Sequence, residues 1–116
     1  MTDMKHDETP LMTPNRLSEA KDVGTKLARL RVARKIRQID AASRAGLARS
    51  TAALIEKGDP GRTMSQILRY LDAIAPNLSL LKLLQESDPS LKALAHAEAT
   101  KRVRALSSAE LKKLDF

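Results

Sequence analysis

The sequence predicts an all-α fold, and three observations lead to that prediction. Apolar residues recur at three- and four-residue steps from residue 18 onward, which is typical of helices with one buried face. No stretch alternates apolar and polar residues for long enough to indicate a half-buried strand. Breaks that contain glycine or proline separate the periodic stretches, at residue 46, at 58–61 and at 76.

The pattern divides the chain into three parts. We expect residues 1–17 to form a flexible N-terminal arm, because they are polar and show no apolar period. Residues 18–85 hold the strong periodicity and form the predicted helical domain. Residues 86–116 have a weaker apolar pattern and are expected to form a helical C-terminal extension.

The first three predicted helices follow one another closely. The first begins near Ser18 and buries an apolar stripe made of Val23, Leu27, Leu30 and Ile36. Two short helices follow, over 38–45 and 49–57, with only Gly46, Leu47 and Ala48 between them. Gly46 suits the left-handed conformation that ends a helix and turns the chain sharply.

The later helices are predicted from their caps and breaks. Thr63 caps a fourth helix with clean apolar spacing, and Pro76 ends it. Ser79 caps a short, leucine-rich fifth helix that reaches about residue 85. The extension is expected to contain two helices, one opening at Asp88 and Pro89 and one opening at a capping box formed by Ser107 and Glu110.

The composition argues against several classes of protein. The chain has no cysteine, which excludes disulfides, iron–sulfur clusters and thiolate zinc sites. It has two histidines, far apart in sequence, and no nucleophile with a base beside it, so we expect neither an enzyme nor a metal or cofactor site. No apolar run approaches the ~20 residues of a membrane span, and the first residues lack the pattern of a secretory signal, so we expect neither a membrane span nor secretion. A cytoplasmic, nucleoid-associated location is the expectation.

The positive charge is concentrated in the middle of the sequence. The chain carries +7, and residues 26–49 hold eight basic side chains against one acidic side chain. Lys26, Arg29 and Arg37 fall outside the apolar stripe and predict a basic helix face. Such a face favours nucleic acid, although a merely solvated face would show the same pattern. Only Tyr70 and Phe116 are aromatic, which favours double-stranded DNA over base stacking on single strands.

Two short helices joined by a three-residue turn form a helix-turn-helix, whose second helix can enter the DNA major groove. The stretch that carries them reads LARLRVARKIRQIDAASRAGLARSTAALIEKG. It resembles the Xre/Cro/cI helix-turn-helix family over about residues 22–84. The resemblance implies a five-helix, lambda-repressor-like domain with Gly46 as its turn glycine and Arg49 opening its recognition helix.

Base and phosphate contacts are predicted around that recognition helix. Arg49 can make a bidentate contact to guanine, and Ser50 and Thr51 can reach bases or phosphates. Ala53 and Leu54 continue the same face; Leu54 either touches a thymine methyl or is packed inside. Gln38 is placed to donate to a phosphate from the start of the second helix. The predicted flanking phosphate contacts are Arg37, Arg44, Lys57 and Arg62, each of which is otherwise a solvated charge.

The resemblance implies an architectural role for one ion pair. Arg31 and Glu56 are expected to pair between the first helix and the end of the third, so both are left out of the DNA-contacting set. The sequence departs from the family where Arg37 and Ala48 replace the usual capping Ser or Thr. Alanines at 41 and 52 replace larger aliphatic residues and predict a slightly smaller core.

A single such domain reads about half of a DNA site, which predicts a homodimer on a palindromic operator with recognition helices ~34 Å apart. The leucine-rich fifth helix is the expected dimer surface, and Tyr70 lies either at a core edge or at a dimer contact. The fourth- and fifth-helix sequence is similar to antitoxins of the HipB and HigA types. That resemblance implies a toxin–antitoxin autorepressor whose partner toxin is a HipA-like kinase. The alternatives are a stand-alone phage or metabolic regulator, and a protein-interaction adaptor that does not read DNA.

Overall fold

The structure, a computed structural model, describes residues 9–85 and 89–114, with side chains described as far as residue 103. Over these residues it contains helices and no strand, which confirms the predicted all-α fold. A single 3-10 turn, Thr9–Leu11, precedes the α-helices. The α-helices are α1 (Pro14–Ala33), α2 (Gln38–Ala45), α3 (Arg49–Glu56), α4 (Met64–Ile74), α5 (Leu80–Leu84) and α6 (Pro89–Leu114).

Helix α1 begins at Pro14, four residues before the predicted start. The Thr13 side chain accepts a hydrogen bond from the Arg16 backbone N–H at 3.2 Å, and proline occupies the first helical position. This combination is a strong helix start, because proline has no N–H to leave unpaired there. The arm predicted for residues 1–17 is therefore too long at its C-terminal end. Residues 1–8 lie outside the described residues.

Helices α2 and α3 have nearly the predicted bounds. Gly46 ends α2 with a φ of +69°, in the left-handed region that favours glycine. Helix α3 ends at Glu56, with Lys57 as its C-terminal cap. Neither Arg37 nor Ala48 provides a side-chain cap, as expected for residues that replace Ser or Thr.

The core lies where α2 packs on α3 and α4, and where α1 packs on the other side of α3 and α4. Its largest fully buried side chains are Leu27, Leu30, Tyr70 and Leu83. Helix α2 contributes only alanines, at positions 41, 42 and 45, and Ala52 of α3 is also fully buried. Because these side chains are small, α2 can lie close to both α3 and α4.

Two glycines allow α1 to pass directly against the end of α3. A Cβ atom on Gly24 would lie 2.5 Å from the Gly58 nitrogen and 2.7 Å from the Glu56 carbonyl oxygen. A side chain on Gly58 would collide with the α1 backbone at Ala20 and Lys21. The backbone contact fixes the C-terminal end of α3 on α1.

Helix α6 is one continuous helix, so the prediction of two helices in this region is wrong. Ser107 and Glu110 lie inside it rather than at an N-terminus. No glycine or proline occurs between residues 90 and 114 to interrupt it. Leu91 is buried with the core residues, so the first turns of α6 pack as part of the helical domain. The 26-residue helix is ~39 Å long, and the longest dimension of the molecule is 68 Å.

Candidate nucleic-acid interface

The first turn of α3 faces away from the core. Arg49 and Ser50 are exposed, and Thr51 is half-buried. The opposite face of the helix is held in the core by Ala52 and Ile55. The fold therefore presents the N-terminal end of α3 outward, with its first backbone N–H groups free of side-chain caps.

The rest of the predicted reading face is less exposed. Ala53 and Leu54 are both half-buried. Leu54 is thus partly packed and partly accessible, so neither of its two predicted placements is excluded.

Three of the four predicted flanking cations lie on the surface. Arg44 and Lys57 are exposed, and Arg37 is 80 % exposed while its Nε donates to Asp40 Oδ2 at 3.0 Å. Arg62 is different. It is half-buried in the wall of a largely apolar cavity of about 360 Å³ bounded by α1, α4 and α5, and its Nε is buried without a hydrogen-bond partner among the described residues.

Glu56, at the C-terminal end of α3, is the centre of a hydrogen-bonded cluster. Arg31 donates to it twice, from Nε to Oε2 at 2.6 Å and from Nη2 to Oε1 at 3.1 Å. Gln38 Nε2 donates to Oε1 at 3.1 Å, and the Tyr70 hydroxyl donates to Oε2. Arg31 also donates to the Ile36 carbonyl at 2.9 Å. The expected pair of Arg31 and Glu56 is present and is joined by two further donors.

The cluster changes the acid–base behaviour of its members. Burial by itself would raise the pKa of Glu56, but the hydrogen bonds from Arg31, Tyr70 and Gln38 outweigh it and hold this pKa below its ordinary value. The pKa of Tyr70 is raised, first by burial and then by its bond to Glu56. Glu56 is therefore a stable carboxylate with 8 % of its side chain exposed.

Gln38 is the first residue of α2 and also a member of the Glu56 cluster. It opens α2, where we predicted a phosphate donor, and one of its amide N–H groups is used by Glu56. The amide nitrogen carries a second hydrogen. The bond to Glu56 fixes the amide, and the second N–H is the one that remains for an outside acceptor.

Tyr70 and Arg69 of α4 make contacts that the sequence did not predict. Tyr70 is fully buried, so the option of a dimer contact is wrong. Arg69 donates from Nε and Nη2 to the Ala45 carbonyl, at 3.2 and 2.9 Å, and from Nη2 to the Gly46 carbonyl at 2.9 Å. Nothing in the local sequence indicates either role, because each partner lies 14 to 24 residues away.

The predicted basic face of α1 also needs a correction. Arg29 makes a bidentate pair with Glu98 of α6, at 3.0 and 2.8 Å. Its hydrogen bond lowers the pKa of Glu98. Arg29 therefore joins α1 to α6. His96, for which the sequence indicates a surface histidine, is exposed on α6.

Helix α5 exposes apolar surface where the dimer contact was predicted. Leu83 is fully buried, whereas Leu81 is 73 % exposed and Leu84 is also exposed. Met64, at the start of α4, adds to the exposed apolar side chains and lines the same cavity as Leu84.

In the described part of the chain, no three His, Asp or Glu side chains lie close enough together to hold a metal ion. No helix there has both the length and the apolar character needed to cross a membrane. Comparisons with protein-family models, curated proteins and solved structures gave no match to this chain.

Proposed function

We propose that the protein is a sequence-specific DNA-binding transcriptional repressor that inserts α3 into the major groove. The observation that carries the proposal is the α2–α3 unit, in which a left-handed Gly46 joins two eight-residue helices and the second presents Arg49 and Ser50 outward. An α-helix fits the major groove, and the N-terminal residues of a recognition helix meet the base edges.

The surrounding residues have distinct roles in this proposal. Arg49 reads guanine, and Ser50 and Thr51 contact bases or phosphates. Arg37 and Arg44 provide exposed phosphate contacts beside α2, and Lys57 provides one at the far end of α3. The net charge of +7 supports this, because each phosphate neutralised releases counterions and strengthens binding.

The repressor acts as a homodimer on a palindromic operator. The exposed leucines of α5 support a contact between two copies, since a small core does not cover them. Two copies related by a two-fold axis would place their recognition helices in successive major grooves.

The test is binding of the purified protein to DNA from upstream of its own gene, with a shuffled duplex of equal length as control. We expect a preference of ~10³-fold or more, at two proteins per site. The preference should persist from about 50 to about 300 mM salt, while binding to the control duplex disappears. Equal, salt-sensitive binding to both duplexes would contradict the proposal and favour the protein-interaction adaptor.

We further propose that the protein is the antitoxin of a toxin–antitoxin system and neutralises a HipA-like kinase. The supporting observation is α6, which continues past its contact with α1 at Glu98 and exposes Val103 together with Lys101 and Arg102. Co-expression with the product of the adjacent gene tests it. A stable complex and relief of growth arrest are expected, whereas a protein that binds its operator and captures no partner would be a stand-alone regulator.

A further inference from the structure

Helix α4 contacts the helix-turn-helix at two separate places through two consecutive residues. Arg69 binds the carbonyl groups of Ala45 and Gly46, at the turn where α2 and α3 meet. Tyr70 binds Glu56, which also receives the bond from Gln38. Gln38 opens α2 and Glu56 closes α3, so this second contact lies at the other end of both helices.

We propose that Arg69 and Tyr70 are positioning residues that fix the angle between α2 and the recognition helix α3. This inference rests on the proposed function. A pair of helices joined by a three-residue turn can hinge at that turn unless its ends are tied. Here α4 binds the turn through Arg69 and the far ends of both helices through Tyr70, so that α3 is held as a rigid reading element.

The contact at the turn has a clear physical basis. The last carbonyl groups of a helix have no partner within the helix, and a cation there also interacts favourably with the helix dipole. The guanidinium fork of Arg69 reaches two successive carbonyls, which a single ammonium group could not hold in the same way. The fork lies close to the turn, since a Cβ atom on Gly46 would be 3.1 Å from Arg69 Nη2.

The contact at the far ends of α2 and α3 depends on burial. The Tyr70 ring is fully buried in the core, so its hydroxyl has little freedom to move. It holds one oxygen of Glu56 while Gln38 binds the other. Removing the hydroxyl leaves Glu56 with fewer donors and loosens the link between the end of α3 and the start of α2.

The experiment compares Tyr70→Phe, Arg69→Gln and Arg69→Lys with Lys92→Gln. Lys92 is exposed on α6, so its variant removes one positive charge as Arg69→Gln does, without touching the turn. Binding is measured on a duplex that the wild-type protein selects from a random-sequence pool and on a shuffled duplex. The NMR signals of the backbone amides of residues 38–56 and of the Gln38 side-chain amide are recorded for each variant.

We expect the ratio of specific to non-specific affinity to fall about tenfold in all three test variants, the low end of what one bidentate base contact contributes. Lys92→Gln should keep the ratio and leave both affinities nearly unchanged. Failure of Arg69→Lys to restore the ratio would show that the fork, rather than the charge, is needed. The amide signals of α2 and α3 should shift in the test variants alone.

Ratios and amide signals that match Lys92→Gln in all three variants would overturn the inference. If the wild-type protein selects no sequence, the proposed DNA reading is wrong, and the NMR signals alone then decide the positioning role. Shifts across residues 38–56 that exceed those of the control would support it, and their absence would overturn it.

Discussion

The two ends of α3 differ sharply in how their side chains are used. At the C-terminal end, Glu56 accepts hydrogen bonds from Arg31, Gln38 and Tyr70 and is almost completely enclosed. At the N-terminal end, Arg49 and Ser50 are exposed, and no other side chain in the described part of the chain bonds to the Arg49 guanidinium. One end of an eight-residue helix is thus fixed by the fold while the other remains available.

This difference suits a reading helix. Burying a charged group without partners costs free energy, and the hydrogen-bond donors around Glu56 offset that cost for its enclosed carboxylate. The free backbone N–H groups and the partial positive charge of a helix N-terminus can instead be satisfied by an outside anion such as a phosphate. The fixed end gives α3 a defined orientation, and the open end is where contacts with DNA are expected.

The largest expected effect on stability comes from removing the Glu56 carboxylate at the fixed end of α3. Glu56→Ala leaves the Arg31 charge enclosed without its partner and should lower the free energy of unfolding by ~3–5 kcal/mol. Urea unfolding followed by circular dichroism measures it. Glu98→Ala is the control, because it removes a carboxylate from a half-exposed pair, which is expected to contribute only about 1 kcal/mol. Equal losses for the two variants would show that the Glu56 cluster is no more important than a surface ion pair.

Acidification should also lower the free energy of unfolding, but by less than Glu56→Ala does. The reason is that protonation removes the charge of Glu56 and leaves its side chain in place. The folded-state pKa of Glu56 lies below its ordinary value of 4.5. Its ion pair therefore stabilises the fold fully above that value, and the stabilisation is lost as pH falls through the folded-state pKa. Thermal unfolding across this acid range should show a shallower pH dependence for Glu56→Gln than for the wild-type protein. If the wild-type protein and Glu56→Gln show the same pH dependence, other carboxylates cause the acid sensitivity.

The sequence predicted the local parts of this arrangement better than the long-range parts. The bounds of α2 and the turn at Gly46 follow from spacing and from the conformational freedom of glycine, both of which act over a few residues. The roles of Arg69 and Tyr70 depend on where α4 packs, and neither its angle nor its register on α2 is encoded in a local pattern. The single helix α6 was missed because the Ser107 and Glu110 pattern resembles a cap, although no glycine or proline ends the preceding turn.

Two further differences between the sequence predictions and the structure have similar causes. The start of α1 at Pro14 was visible in the pair Thr13–Pro14, but the polar composition around it favoured an arm. The pairing of Arg29 with Glu98 joins residues 69 positions apart. Charge alone therefore placed Arg29 on an open basic face, whereas the fold uses it to hold α6.

Arg49→Ala tests whether the exposed N-terminal end of α3 contacts DNA bases. Because Arg49 is exposed, the free energy of unfolding should change by no more than about 0.5 kcal/mol. Specific DNA binding should weaken by ~1–3 kcal/mol, with a relaxed preference at one base pair. Binding to duplexes varied at each position in turn measures both effects, with Lys92→Ala as the control. An unchanged preference at every position would mean that another residue of α3 reads the bases.

The smallest expected effect belongs to the phosphate contacts beside the reading end. Arg44 is exposed near the end of α2, where its charge can approach the DNA backbone without meeting a base. Arg44→Gln should weaken binding to specific and shuffled duplexes by the same factor and reduce the slope of log affinity against log salt by ~0.9. Lys92→Gln, remote from the turn, should leave the slope unchanged. A loss confined to the specific duplex would mean that Arg44 reads sequence, and the boundary between reading and anchoring residues would then lie within α2 rather than at the start of α3.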